Sequence, residues 1–130
     1  MSTMPQSGAV IFAKDIRRLA DFYEQLCGLA EVHAEGDHIV LESGAVQIVV
    51  HAIPPRISKA ITITQPPAVR EQVPIKLFFA VSDLAIARLR AAELGGHVAP
   101  AAKEWEARGF RACDGHDPEG NVIQLRQRLA

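Results

Sequence analysis

The chain has 130 residues, 14 Lys+Arg against 15 Asp+Glu, 48% hydrophobic and 22% charged residues, which is room for one conventional domain with its own core. A net charge of −1 lacks the basic excess of a dedicated nucleic-acid binder, and 5% aromatic residues leave little for base stacking. No apolar run approaches the ~18 residues that span a bilayer, and no basic segment leads into an apolar run near Met1, so the sequence reads as cytoplasmic, with no signal peptide and no membrane or nucleic-acid partner.

In chain order, Met1–Ser7 reads as a loose tail and Ala9–Ala13 as a short buried strand. Asp15 is placed to cap a helix, because its carboxylate can accept the free N–H groups of a first turn. Ile16, Leu19, Phe22/Tyr23 and Leu26 then recur at helical spacing, and Gly28 suits the left-handed residue that ends a helix. Three strands are predicted next, Ala30–His33, His38–Glu42 and Val46–His51, with Gly36-Asp37 and Ser43-Gly44 as turns. Pro54–Pro74 holds five of the eight prolines. Proline removes ladder donors, so this stretch is read as a connector in which Ile61–Thr64 is the one strand candidate.

The first pattern then returns. Ile75–Val81 is an apolar strand, Ser82-Asp83 caps a helix carrying Leu84, Ala87, Leu89, Ala91 and Leu94, and Gly95-Gly96 ends it. Strands are predicted at His97–Ala99, Gly109–Asp114 and Asn121–Arg126, with a turn between the last two. At an offset of 68, Asp15 matches Asp83, Leu26 matches Leu94 and Gly28 matches Gly96. Caps, core positions and terminators repeat, so the chain reads as two βαβββ modules: about 8–53, a linker 54–72, and about 73–128.

Two stretches carry a family resemblance. Asp15-Ile16…Leu19…Phe22-Tyr23…Leu26-Cys27-Gly28-Leu29 is similar to a helix of the vicinal oxygen chelate superfamily. Asp117-Pro118-Glu119-Gly120-Asn121-Val122-Ile123-Gln124-Leu125 resembles that superfamily's turn into its last strand. The superfamily groups glyoxalase I, bleomycin resistance proteins and extradiol dioxygenases. The resemblance spans Gly8 to Arg128. It implies an α+β fold of tandem βαβββ modules forming a cup-shaped half-open barrel that holds a small-molecule ligand, and it implies a homodimer.

Metal-dependent members hold a divalent ion on four strand positions. Carried over through the two helix-capping Asp residues and the Asp-Pro turn, these fall on Gly8, Gln47, Lys76 and Gln124. Glycine offers no ligand atom and glutamine amides are weak ligands. A lysine charge at bonding distance opposes a cation by several kcal/mol even at an effective dielectric of about 20. The expectation is therefore a protein that binds a small organic ligand without a metal or other cofactor. The alternative is a divalent-metal-dependent lyase, isomerase or dioxygenase with shifted ligands such as Glu42, His51 and His116. Residues expected to touch the ligand are Gln47, His51, Lys76, Phe78, Trp105, Arg111 and Gln124. Lys76 and Arg111 suggest an anionic ligand, and Trp105 a planar one. By alternation, Arg111 and Cys113 are expected on the ligand face, opposite Phe110 and Ala112. No nucleophile elbow or phosphate loop occurs, so no catalytic residue is assigned.

Overall fold

Asp15 starts the first helix as its position requires, with the Oδ1 atom accepting from the Arg18 N–H at 3.1 Å. The helix α1, Ile16–Cys27, ends at Gly28 with φ 72°. Around it lie β1 (Ser7–Ala13), β2 (Ala30–Ala34), β3 (His38–Ser43) and β4 (Val46–Ala52). The computed structural model describes residues 4–130. These elements belong to a compact unit that ends at Thr62, and a second unit begins at Ile63. Of the predicted tail, Met1–Thr3 lies outside the described residues, and Ser7 already belongs to β1.

The first sheet has the order β1-β4-β3-β2, with β1 parallel to β4 and the other pairs antiparallel. Strand alternation gives it two faces. Ala13, Ile39, Leu41, Ile48 and Val50 are buried, as are Leu19, Phe22, Tyr23 and Leu26 of α1, which packs on β1, β3 and β4. Each of these larger side chains contributes roughly 1.5–3 kcal/mol by leaving water. The opposite face carries Gly8, Val10 and Phe12 on β1, beside Gln47, Val49 and His51 on β4. The partners of those β4 residues on β3 are Glu42, Val40 and His38. This face is open, with Val10 55% and Phe12 59% exposed. Asp15→Ala removes the cap and is expected to lower unfolding free energy by about 1 kcal/mol, read as a lower urea midpoint with an unchanged slope.

The second unit repeats the plan. Its elements are β5 (Leu77–Ala80), a helix over Leu84–Glu93, and β6 (His97–Val98), β7 (Trp105–Ala107), β8 (Phe110–His116) and β9 (Val122–Arg128). The helix over 84–93 is α3 in chain order, because the linker holds a short helix α2, Pro55–Ser58. Asp83 caps α3 through the Ile86 N–H at 3.0 Å. The sheet order β5-β9-β8-β6, with β5 parallel to β9, reproduces the first sheet, and β7 adds a hairpin to β8. Together these make an α+β fold of repeated βαβββ modules, each with an open sheet.

Three local expectations change. Ile61–Thr64 forms no strand, and Pro55 instead starts α2, where a proline's missing N–H costs nothing. Strand β8 runs on to His116, because the turn tightens onto Asp117 rather than beginning at Asp114. The faces of β8 are reversed. Cys113 is buried on the α3 side, where Arg88 reaches its sulfur at 3.9 Å. Phe110, Ala112 and Asp114 take the other face, and Ala112 is small enough to vanish there beside Phe110 and the stacked Arg126.

Candidate functional site

The four positions that the resemblance assigns to metal ligands each have neighbours in their own unit. Gly8 pairs with Gln47, and a Cβ at Gly8 would collide with the Gln47 carbonyl oxygen. The Gln47 amide donates to Glu42 Oε2 at 2.7 Å. In the second unit Lys76 Nζ donates to Asp114 Oδ2 at 3.0 Å. Gln124 donates to Asp114 Oδ1 at 3.5 Å and accepts from Arg126 Nε at 2.6 Å. Within each unit these positions are already engaged by their own neighbours.

A different set has the ligand types and spacing that a cation takes. The β2–β3 hairpin, His33-Ala34-Glu35-Gly36-Asp37-His38, carries four ligand-type side chains in six residues. It closes through Glu35 N–H to the His38 carbonyl at 2.8 Å, and it is tied to the end of β4 by Ala52 N–H to the Asp37 carbonyl at 2.7 Å. Pairing of His38 with His51 in the β3–β4 ladder stacks their rings, with centroids 5.8 Å apart and planes 8° from parallel. Two groups result, Asp37/His38/His51 and His33/Glu35/His38, each with ligand atoms lying within 4.8 Å of one another. Each offers two imidazoles and one carboxylate, and both share His38. This overturns the expectation of a protein without a metal or cofactor. The substitutions at Gly8, Gln47, Lys76 and Gln124 bear on one location only, and cation-binding capacity lies at another.

The electrostatics suit a cation at the first group. His38 hydrogen-bonds Asp37 Oδ1 at 2.7 Å and, with His51 nearby, holds the Asp37 carboxyl below its ordinary value, so it stays ionised. His51 Nδ1 lies 2.9 Å from the Ala52 carbonyl oxygen. A carbonyl only accepts, so Nδ1 carries the proton and Nε2, 3.8 Å from Asp37 Oδ2, keeps its lone pair. A backbone carbonyl fixing the tautomer in this way is the usual support of a metal-ligating histidine. Phe12 lies against His51, with ring centroids 5.7 Å apart. At the other end of the same open face, about 13 Å along β4 at ~3.3 Å per residue, a cavity of about 370 Å³ is lined by Gly8, Val10, Gln47 and Val49.

The remaining expected residues spread over several contacts. His51 joins the cation cluster, and Glu42 holds Gln47. The ligand-type groups that the described residues form include His51 but neither Glu42 nor His116. Lys76 and Gln124 meet on Asp114. Phe78 lies under the Arg126 guanidinium at 3.6 Å. Trp105 lies edge-on to Phe110 at 6.0 Å. Arg111 pairs with Glu106 at 2.8 Å and Glu104 at 3.8 Å. The two cations expected to attract an anion are thus both neutralised. Neither cysteine is bonded to another, and burial pushes the Cys27 thiol up to about 12, so it resists becoming a thiolate at neutral pH.

Sequence reasoning missed His33, Glu35, Asp37 and His38, because none of them falls on the four positions that the resemblance assigns to ligands. The available signal was the density of imidazoles and carboxylates between 33 and 38, at the edge of a predicted turn.

Comparison with known proteins agrees with this architecture. A family model described as a glyoxalase-like domain matches residues 8–126. A glyoxalase/bleomycin resistance protein/dioxygenase family enzyme from Burkholderia phytofirmans PsJN superposes with a TM-score of 0.68 at 20% identity, covering 94% of this chain and 97% of that one. A glyoxalase/bleomycin resistance protein from Albidiferax ferrireducens T118 gives 0.65 at 19%, with the same coverage. A fosfomycin resistance protein from Listeria monocytogenes, complexed with Mn(II) and sulfate, gives 0.66 at 12%, covering 94% and 88%. No curated protein matches significantly by sequence.

Proposed function

The chain belongs to the glyoxalase-like domain family, and from that membership and the clustered ligands we propose that it is a divalent-metal-dependent enzyme of the lyase or isomerase kind, with its cation on Asp37, His38 and His51. The observation that carries this is the convergence of two imidazoles and a carboxylate within 4.8 Å. That donor set suits Zn, Ni, Fe or Mn and leaves coordination positions for a ligand's oxygens. The manganese bound by the Listeria protein of the same fold lends support.

A cation bound here would act as a Lewis acid, polarising an oxygen of the substrate. The chain's own residues do the rest. The Ala52 carbonyl and the stacked His38 ring hold His51 in one orientation. His38 lowers the Asp37 carboxyl and orients it. Val10, Phe12 and Val49 give the open face an apolar floor on which the carbon part of a small oxygenated molecule lies. Of the seven residues expected to touch ligand from sequence, Gln47 and His51 lie on this open face of the first unit.

A dioxygenase is the second reading, favoured by the donor count, because two histidines and one carboxylate with open positions also suit non-haem Fe(II). The family resemblance and the free thiols further support a homodimer working in the cytoplasm. No helix among the described residues is long and apolar enough to cross a membrane.

Chelation tests the enzyme reading. Protein purified without chelator is expected to carry about one divalent ion per chain, to lose turnover on exhaustive chelation and to regain it with one added metal. Turnover that survives chelation would exclude this function. Recovery with Fe(II) alone, together with oxygen uptake, would select the dioxygenase.

A further inference from the structure

The second unit holds a cavity of about 400 Å³, within the size range of small-molecule sites, walled by Val69, Ala99 and Val122 and by five ionisable side chains. One of these is placed with unusual definition. His116 is 8% exposed, and its Nδ1 lies 3.0 Å from the Asp117 carbonyl oxygen. The carbonyl can only accept, so Nδ1 carries the proton and Nε2 presents a lone pair. Among the described residues Nε2 has no hydrogen-bond partner, yet no fully buried side-chain nitrogen or oxygen is left without one. Nε2 therefore opens into the cavity that His116 lines.

The cavity has a built wall. His116 pairs with His97 across β8–β6 and with Val122 across β8–β9. Gly115 lets β6 approach, since a Cβ there would strike the His97 carbonyl. The His97 ring then rests 5.6 Å from that of His116. Charge defines what fits. Lys76 is cancelled by Asp114 at 3.0 Å. Glu71, also on the wall, makes no ion pair among the described residues. Lys76 and Asp114 offset each other, which leaves the Glu71 carboxylate as the uncompensated charge on the wall. The groups on the wall that remain unengaged and can accept are the Glu71 carboxylate and His116 Nε2.

We propose that this cavity is a binding site for a small amine-bearing molecule, whose ammonium lies between Glu71 and His116 Nε2 and whose carbon part lies against Val69, Ala99 and Val122. This reverses the anionic ligand suggested by Lys76 and Arg111, because both are already paired. It shares no residue with the cation cluster of the first unit.

Benzylamine and benzoate, alike in size and opposite in charge, test it on the full chain by NMR. EDTA is present throughout, so the outcome is independent of any metal at Asp37, His38 and His51. Benzylamine is expected to move the Gly115, His116 and Val122 signals saturably, with a Kd of about 1–10 mM, while benzoate leaves them in place. Glu71→Gln lies on an exposed side chain and is expected to weaken benzylamine about fivefold or more with the fold unchanged. Asp114→Asn frees the Lys76 charge and is expected to turn the preference toward benzoate. Equal or tighter benzoate binding to the unaltered chain, no saturable shift with benzylamine, or indifference to both substitutions would overturn the proposal.

Discussion

Replacing His38 by alanine is expected to weaken divalent-cation binding by about 100-fold or more, the largest effect of any single side chain at the site. His38 is the one residue common to Asp37/His38/His51 and His33/Glu35/His38. Its loss leaves each group with a single imidazole and a single carboxylate, and it also removes the hydrogen bond that lowers the Asp37 carboxyl and orients it. His33→Ala and His51→Ala each leave one complete group standing. Each is therefore expected to cost much less than His38→Ala, and the double variant is expected to match it. Calorimetric titration with Zn(II) separates these outcomes. Folding is not at issue, because His38 points away from α1, while its neighbour Ile39 fills the core. Near-equal losses from all three single variants would mean that the two groups do not act as alternatives.

Asp117→Ala is expected to cost about 3–4 kcal/mol of stability, because it strips the acceptor from several enclosed donors at once. Asp117 is 0% exposed. Its Oδ1 accepts from the Glu119 N–H at 2.9 Å and the Asn121 N–H at 3.1 Å, and its Oδ2 accepts from Asn121 Nδ2 at 2.8 Å. Gly120, at φ 87°, completes the turn, and a Cβ there would collide with the Ala68 carbonyl. Arg70 N–H bonds the Gly120 carbonyl at 2.8 Å, so the linker is fastened to this turn as well. Urea unfolding measures the loss. Asp117→Asn keeps one acceptor oxygen and is expected to lose about half as much. A loss below about 1 kcal/mol for alanine would mean that water replaces Asp117 freely.

The fold was legible because each determinant is local. Asp15 and Asp83 announce caps, Gly28 a terminator, and apolar periodicity the helix faces. Their repetition at one offset exposes the duplicated module. The details that escaped depend on pairing. Whether Arg111 or Phe110 faces α3 is set by the β8–β9 register, which no local pattern reveals, and Ala112 is apolar enough for either face. The cation site escaped for a related reason. His51 is distant in sequence from His38 and becomes its neighbour only through the β3–β4 ladder. Lys76 invited the opposite error. Its charge argues soundly against a cation at that position but says nothing of a hairpin in the other module, and Asp114 neutralises it in place.

The most direct measurement is an anomalous difference map from a crystal grown with Zn(II). The expected peak lies about 2.0–2.2 Å from Asp37, His38 and His51. A peak beside Gln47 or Gln124, or none in the presence of zinc, would contradict the account.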